Sequence, residues 1–200
     1  MTEFFLNQEC GITQYHDTVL KHHFTFGTHY EPTKFGRSTL RRADYISLKN
    51  NYTASAERNY ILLLYPLTDN DIYLKLNDTE YTLEKNQLSS FILPRGTAIY
   101  LSSNIPSDIL LFECDIFQSP PEIMVFDILD KSYDTDIQVI SIYDNITFNP
   151  QNKPFFGFIL DGNVMIDTEK LTAYEGFYHD KPVSLIGNAK ILSFSMPVPL

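Results

Sequence analysis

The sequence predicts an all-β protein with two antiparallel barrels packed in one chain. Three observations lead there. Aromatic and β-branched residues are abundant, with 13 Tyr and 15 Phe, a composition that fits pleated, half-buried surfaces. Apolar residues at three-and-four spacing, the mark of an amphipathic helix, are scarce. Short apolar runs recur at close, even intervals between turn signals, as sandwiches and barrels require.

The first series of runs covers residues 60–65, 71–76, 80–83, 89–93, 97–102 and 108–113. Asn70-Asp71, Asn77-Asp78, Pro94-Arg95-Gly96 and Pro106 supply the turns between them. Within the second run Ile72, Leu74 and Leu76 alternate with Tyr73, Lys75 and Asn77. Successive strand side chains point to opposite faces, so this run has one buried face and one wetter face. After Glu113 the pattern loosens at Gln118-Ser119-Pro120-Pro121, and an acidic stretch with Asp127, Asp130, Asp134 and Asp136 follows. The domain junction is expected there, giving an amino-terminal unit of residues 1–118 and a linker with a shorter carboxyl-terminal unit in residues 119–200. The second series covers residues 137–143, 154–160, 164–166, 171–173, 183–186 and 191–195, with Asp161-Gly162-Asn163 read as a hairpin turn. Residues 155–160 with their Asp-Gly-Asn repeat the style of residues 60–65 followed by Thr68-Asp-Asn, which favours two copies of one barrel.

Bulk properties exclude several function classes. A chain of 200 residues with 44% hydrophobic content supports two modest cores. A net charge of -10 with only 15 basic residues argues against direct nucleic-acid binding, which needs a concentrated Lys/Arg surface. Cys10 and Cys114 form no CxxC and no disulfide framework, so they read as reduced thiols of a cytoplasmic protein. The amino terminus lacks a basic n-region and a long apolar h-region, and no apolar run approaches the roughly 20 residues of a spanning helix. Neither secretion nor a membrane partner is expected, and the sequons at Asn51, Asn77 and Asn145 are then inert.

The stretch His22-His-Phe-Thr-Phe-Gly-Thr-His-Tyr-Glu-Pro-Thr-Lys-Phe-Gly-Arg-Ser-Thr-Leu-Arg41 resembles the opening segment of pirin-family proteins, with His-x-Phe-Ser-Phe, Tyr-Asp-Pro, Gly and Leu-Arg at matching spacing. At the other end, Gly162-Asn-Val-x-Ile166 and Ile191-Leu-Ser-Phe-Ser-Met-Pro-Val-Pro-Leu200 are similar to the family's closing hairpins, final strand and Pro-containing tail. The match spans most of the chain, which is shorter than typical members and divergent in its middle. The resemblance implies a bicupin of the cupin superfamily, two jelly-roll-type β-barrels in one chain, consistent with the two strand series.

Members of that family place His-x-His on one strand of the first barrel, with a carboxylate shortly after, and His-x-Glu on a later strand, converging on one iron. Residues two apart on a strand share a face, which is why the pairs skip a position. The resemblance puts the first pair on Ala54 and Ala56, the carboxylate on Tyr60, and the later pair on Leu101 and Ser103. None of the paired positions carries an imidazole or a carboxylate, and a transition-metal site needs nitrogen, sulfur or carboxylate donors. No His occurs between His29 and His179, so a slip in the match does not restore the site. No metal and no cofactor are therefore expected. The former metal position is expected to be a cavity lined by Ala54, Ala56, Tyr60, Leu101 and Ser103, with the Tyr60 ring filling part of it.

His16, His22, His23 and His29 crowd the first 30 residues near Cys10, but their spacing declares no fixed donor geometry, and structural or surface roles are expected. In the family this segment packs as an arm. His179 near Asp180 reads as a solvated loop residue. Asp134 and Asp136 read as a solvated linker. Arg41-Arg42 is a single basic doublet that speaks only weakly for an anion site, and Arg41 matches a family position of structural use. No nucleophile elbow, P-loop or dinucleotide fingerprint is present. The expected function is a pirin-like module without metal-dependent catalysis, taking a small aromatic ligand or a protein partner, the latter in a regulatory role by analogy with pirins as transcriptional cofactors. The alternative is an oxidoreductase like the quercetin 2,3-dioxygenases that pirins resemble, using a non-standard metal site.

Overall fold

A computed structural model describes residues 2–8, 10–25, 40–116, 120–125, 136–148, 155–179 and 181–195. Among them are seventeen strands and no helix: β1 (Thr2–Phe5), β2 (Gly11–Tyr15), β3 (Thr18–Thr25), β4 (Leu40–Leu48), β5 (Asn51–Ser55), β6 (Tyr60–Pro66), β7 (Ile72–Leu76), β8 (Thr79–Leu83), β9 (Ser89–Leu93), β10 (Ala98–Ser103), β11 (Ser107–Asp115), β12 (Met124–Val125), β13 (Asp136–Phe148), β14 (Phe155–Ile166), β15 (Glu169–Thr172), β16 (Gly176–His179) and β17 (Val183–Ser195). The chain divides into two compact units, one holding β2 to β12 and the other β1 with β13 to β17. The expected junction at residue 118 and the acidic residues Asp127, Asp130 and Asp134 lie outside the described residues, as does most of the 22–41 segment.

In the first unit a seven-stranded sheet, β12-β9-β6-β11-β4-β3-β2, and a four-stranded sheet, β5-β10-β7-β8, are antiparallel throughout. Alternate residues of both sheets meet in one apolar core. Leu20, Ile46, Leu48, Leu62, Leu64, Ile109 and Leu111 come from the larger sheet, and Ile72, Leu74, Leu76, Ile99 and Leu101 from the smaller. The alternation read at Ile72, Leu74 and Leu76 is thus the buried face of β7. Each fully buried aliphatic side chain here stabilises the fold by about 1.5–3 kcal/mol.

The all-β class holds, but the described strands form open sheets and not closed barrels. Closure requires a continuous hydrogen-bonded ladder around the circumference, and no ladder joins the two sheets of this unit among the described residues. The inner faces are covered by packing one sheet on the other instead.

The second unit is one sheet, β1-β16-β14-β17-β13, with β15 added on β14. Its strands are longer than the sequence suggested. Asp161-Gly162-Asn163 does not reverse the chain but lies inside β14, and residues 183–195 run as one strand. The physical reason is a bulge. The β14–β17 register shifts between Ile159 and Asp161, and Gly162 next to it takes φ +82. The glycine signal was real, yet it serves a bend and not a turn. A Cβ at Gly162 would stand 2.1 Å from the Asn188 carbonyl oxygen. The extra residue also switches parity, so Phe155 and Ile159 before it and Val164 and Ile166 after it all enter the same core, with Val183, Leu185 and Ile191 of β17.

Candidate functional site

The inner face of the seven-stranded sheet changes chemistry along its length. On β4, Ile46 and Leu48 are core residues, and the same face continues into Asp44 and Arg42. On β11, Ile109 and Leu111 continue into Glu113, and on β6, Leu64 and Leu62 continue into Tyr60. The antiparallel register brings the polar ends together, with His22 across from Asp44, Glu113 across from Arg42, and Asp115 across from Tyr60.

Arg41 and Arg42 are neighbours in sequence and would point to opposite faces of a regular strand. The β4–β11 register shifts at Glu113/Cys114, leaving Arg41 as the extra residue, and both arginines line the same cavity. The result is a continuous chain of charges. His22 Nδ1 lies 2.9 Å from Asp44 Oδ1, and His22 Nε2 lies 2.9 Å from Thr13 Oγ1. Asp44 is fully buried and accepts a second bond from Arg42 Nε. Arg42 also donates to Glu113 Oε1 at 3.1 Å and to the Tyr52 hydroxyl at 3.3 Å. Asp115 accepts from Arg41 Nε and Arg58 Nε, and Arg58 Nη2 stands 3.7 Å from Glu113 Oε2.

Burial is the largest influence on Arg42 and works against its charge, but Asp44, Tyr52 and Glu113 outweigh it and hold its pKa above the usual guanidinium value. For Glu113 burial wins over the neighbouring Arg42 and Arg58, and its pKa is raised, which favours the neutral acid. Burial, with Glu113 next in weight, raises the Tyr60 phenol, which therefore stays protonated. The fully buried Cys114 thiol is pushed well above its ordinary range and is a poor nucleophile.

A cavity of about 430 Å³ is lined by His22, Arg41, Arg42, Tyr52, Ala54, Ser55, Glu57, Arg58, Tyr60 and Glu113. Of the residues singled out from the sequence, Ala54 and Tyr60 lie in this wall. Ala56 and Leu101 are buried in the apolar core, with Leu101 paired to Tyr52 across β10 and β5. Ser103 is buried away from the wall, where its hydroxyl donates to the Asp71 carbonyl at 3.1 Å and shares a 2.8 Å bond with Ser107 Oγ. The four positions matched to the family's paired ligands do not fit a transition metal: Ala54 and Ala56 carry methyl groups, Leu101 a leucyl chain, and the Ser103 hydroxyl is already engaged. Among the described residues no three His, Cys, Asp or Glu side chains are grouped for a metal ion. His16 is exposed, His23 is buried, and His179 Nδ1 lies against the backbone of Lys181. His29 is outside the described residues.

Sequence reasoning missed His22, Asp44, Tyr52 and Glu113 as members of one site, and gave Arg42 little weight. The usable signal was parity. Polar residues at positions 42 and 44 interrupt an alternation whose next members, Ile46 and Leu48, are apolar, which marks a buried polar end of a strand.

An all-β chain with this sandwich and an inward-facing cavity at one end of it has the cupin-type fold. Among solved structures it is similar to the bacterial pirin YhhW from Escherichia coli in complex with nickel(II), with a TM-score of 0.79, 13% identity, and 100% of each chain covered. It is also similar to quercetin 2,3-dioxygenase from Acinetobacter baumannii, with a TM-score of 0.72, 10% identity, 98% of this chain and 86% of that one. A third similar structure is HutD from Pseudomonas fluorescens SBW25, with a TM-score of 0.65, 11% identity, 98% of this chain and 100% of that one. No family model and no curated protein matches the sequence. No helix among the described residues is long and apolar enough to cross a membrane.

Proposed function

We propose that the chain is a divergent, pirin-like bicupin that works without a metal, as a small-molecule-binding module whose ligand enters the cavity between Tyr52, Ala54, Tyr60 and the Arg42–Glu113 pair. One observation carries this reading. At the positions that the resemblance matches to a pirin's imidazoles this chain has methyl and leucyl side chains, and the cavity that Ala54 lines is walled by two tyrosines and a guanidinium–carboxylate network. A concave site with apolar rings and a few fixed polar groups is the usual form of a ligand pocket. Calorimetric titration with a panel of flavonoids and simpler phenols tests it. Saturable heat that disappears on filling the cavity with Ala54→Phe is the expected result, and no heat from the panel or from a simple aromatic acid contradicts it.

The likeness to a quercetin 2,3-dioxygenase keeps one rival reading, an oxidoreductase with a non-standard metal site. It requires the cavity's donors, His22 and Glu113, to collect a metal while Arg42 and Arg58 stand beside them, and cations at that distance oppose metal binding. Stoichiometric iron, copper or nickel in the purified protein would favour the rival.

A further inference from the structure

The chain has five arginines, and three of them, Arg41, Arg42 and Arg58, line this one cavity. That concentration occurs in a protein of net charge -10. Two of the carboxylates that hold the arginines, Asp44 and Asp115, are not among the cavity-lining residues, whereas the guanidinium-bearing side chains are. The wall itself carries three arginines against Glu57 and Glu113.

The three arginines are not equally committed. Arg42 bonds Asp44, Glu113 and Tyr52 and is 17% exposed. Arg58 is 44% exposed, bonds Asp115 through Nε, and its Nη2 stops 3.7 Å short of Glu113, beyond hydrogen-bonding distance. Arg41 is 22% exposed, so Arg58 is the most exposed of the three guanidinium groups lining the cavity. The same wall holds Tyr52 and Tyr60, and Ala54, two residues from Tyr52 on β5, adds only a methyl group to it. A flat ring fits against such a wall, and a planar two-oxygen group matches a guanidinium fork. Glu57 and Glu113 oppose a doubly charged phosphate more than a singly charged carboxylate.

We infer that the cavity takes a small aromatic carboxylate, its ring against Tyr52, Ala54 and Tyr60 and its carboxylate on Arg58. This rests on the small-molecule reading above and names the class of ligand. The test is calorimetric titration of the full chain with cinnamate and with its neutral counterpart cinnamamide, alongside the neutral polyphenol panel. Cinnamate is expected to bind roughly tenfold to a hundredfold more tightly than cinnamamide, the worth of a charge-assisted hydrogen bond. Arg58→Gln is expected to abolish that preference, and Arg58→Lys to keep part of it. Thermal unfolding of both variants checks that the fold is intact. Equal affinity for acid and amide, or a preference that survives Arg58→Gln, overturns the inference and leaves the small-molecule reading standing. Heat from the polyphenols with none from cinnamate does the same. No heat from any probe overturns both.

Discussion

Two ends of one β-sheet face divide the work in the first unit. At one end Leu20, Ile46, Leu48, Leu62, Leu64, Ile109 and Leu111 pack against the smaller sheet in a dry core. At the other end, a few residues along the same strands, His22, Arg42, Asp44, Tyr60 and Glu113 face inward around a cavity or just behind its wall. The strands are common to both, but the register shifts at Glu113/Cys114 and His22/Phe24 lie at the polar end, so backbone irregularity and side-chain chemistry together set the two ends apart. Burying aliphatic groups stabilises the fold directly. Burying charges costs desolvation that pairing only offsets, so such a network adds little net stability while the loss of one partner is costly. The contrast is the physical ground for the proposed ligand site at the polar end, and it can be broken or sharpened by substitution.

The largest expected effect comes from the hinge of the polar network. Asp44→Ala leaves Arg42 and His22 without their buried anion and is expected to cost about 3–5 kcal/mol in denaturant unfolding. Leu62→Ala tests the dry end, with an expected loss of about 2–5 kcal/mol set by how far the core collapses into the space. If Asp44→Ala costs less than about 1 kcal/mol, the network is not the tightly paired unit described here. In the second unit, Gly162→Ala places a Cβ against the Asn188 carbonyl at a left-handed position and is expected to cost about 1–3 kcal/mol.

The smallest effect on stability, and the sharpest on pH, belongs to Glu113. Its folded pKa is raised, so its contribution is full below the ordinary carboxylate range and is lost as pH rises through the raised value. Glu113→Gln mimics the neutral acid. Its stability relative to the parent is expected to increase as pH rises through that window, read by urea unfolding at a series of pH values. A variant that instead loses ground as pH rises would mean that Arg42 and Arg58 dominate over burial.

Local features of the fold were legible in the sequence. The strand series in residues 60–113 and the inward set Ile72, Leu74 and Leu76 follow from alternation and turn residues alone. The hairpin at Asp161-Gly162-Asn163 was misread because the same glycine chemistry serves turns and bulges, and only the partner strand decides between them. The site was less legible for the same reason. Arg42 and Glu113 are 71 residues apart and meet only through strand pairing, and Arg41 joins them only because a bulge re-aims it. Family resemblance directed attention to Ala54 and Tyr60, which lie in the cavity wall, and to Leu101 and Ser103, which do not.

The claim that this pirin-type fold binds through a guanidinium–carboxylate network and not through a metal is tested most directly by elemental analysis of the protein purified from cells and after equilibration with nickel(II) and iron(II). No stoichiometric metal in either sample is the result predicted. One tightly held metal per chain, lost on His22→Ala, would contradict it.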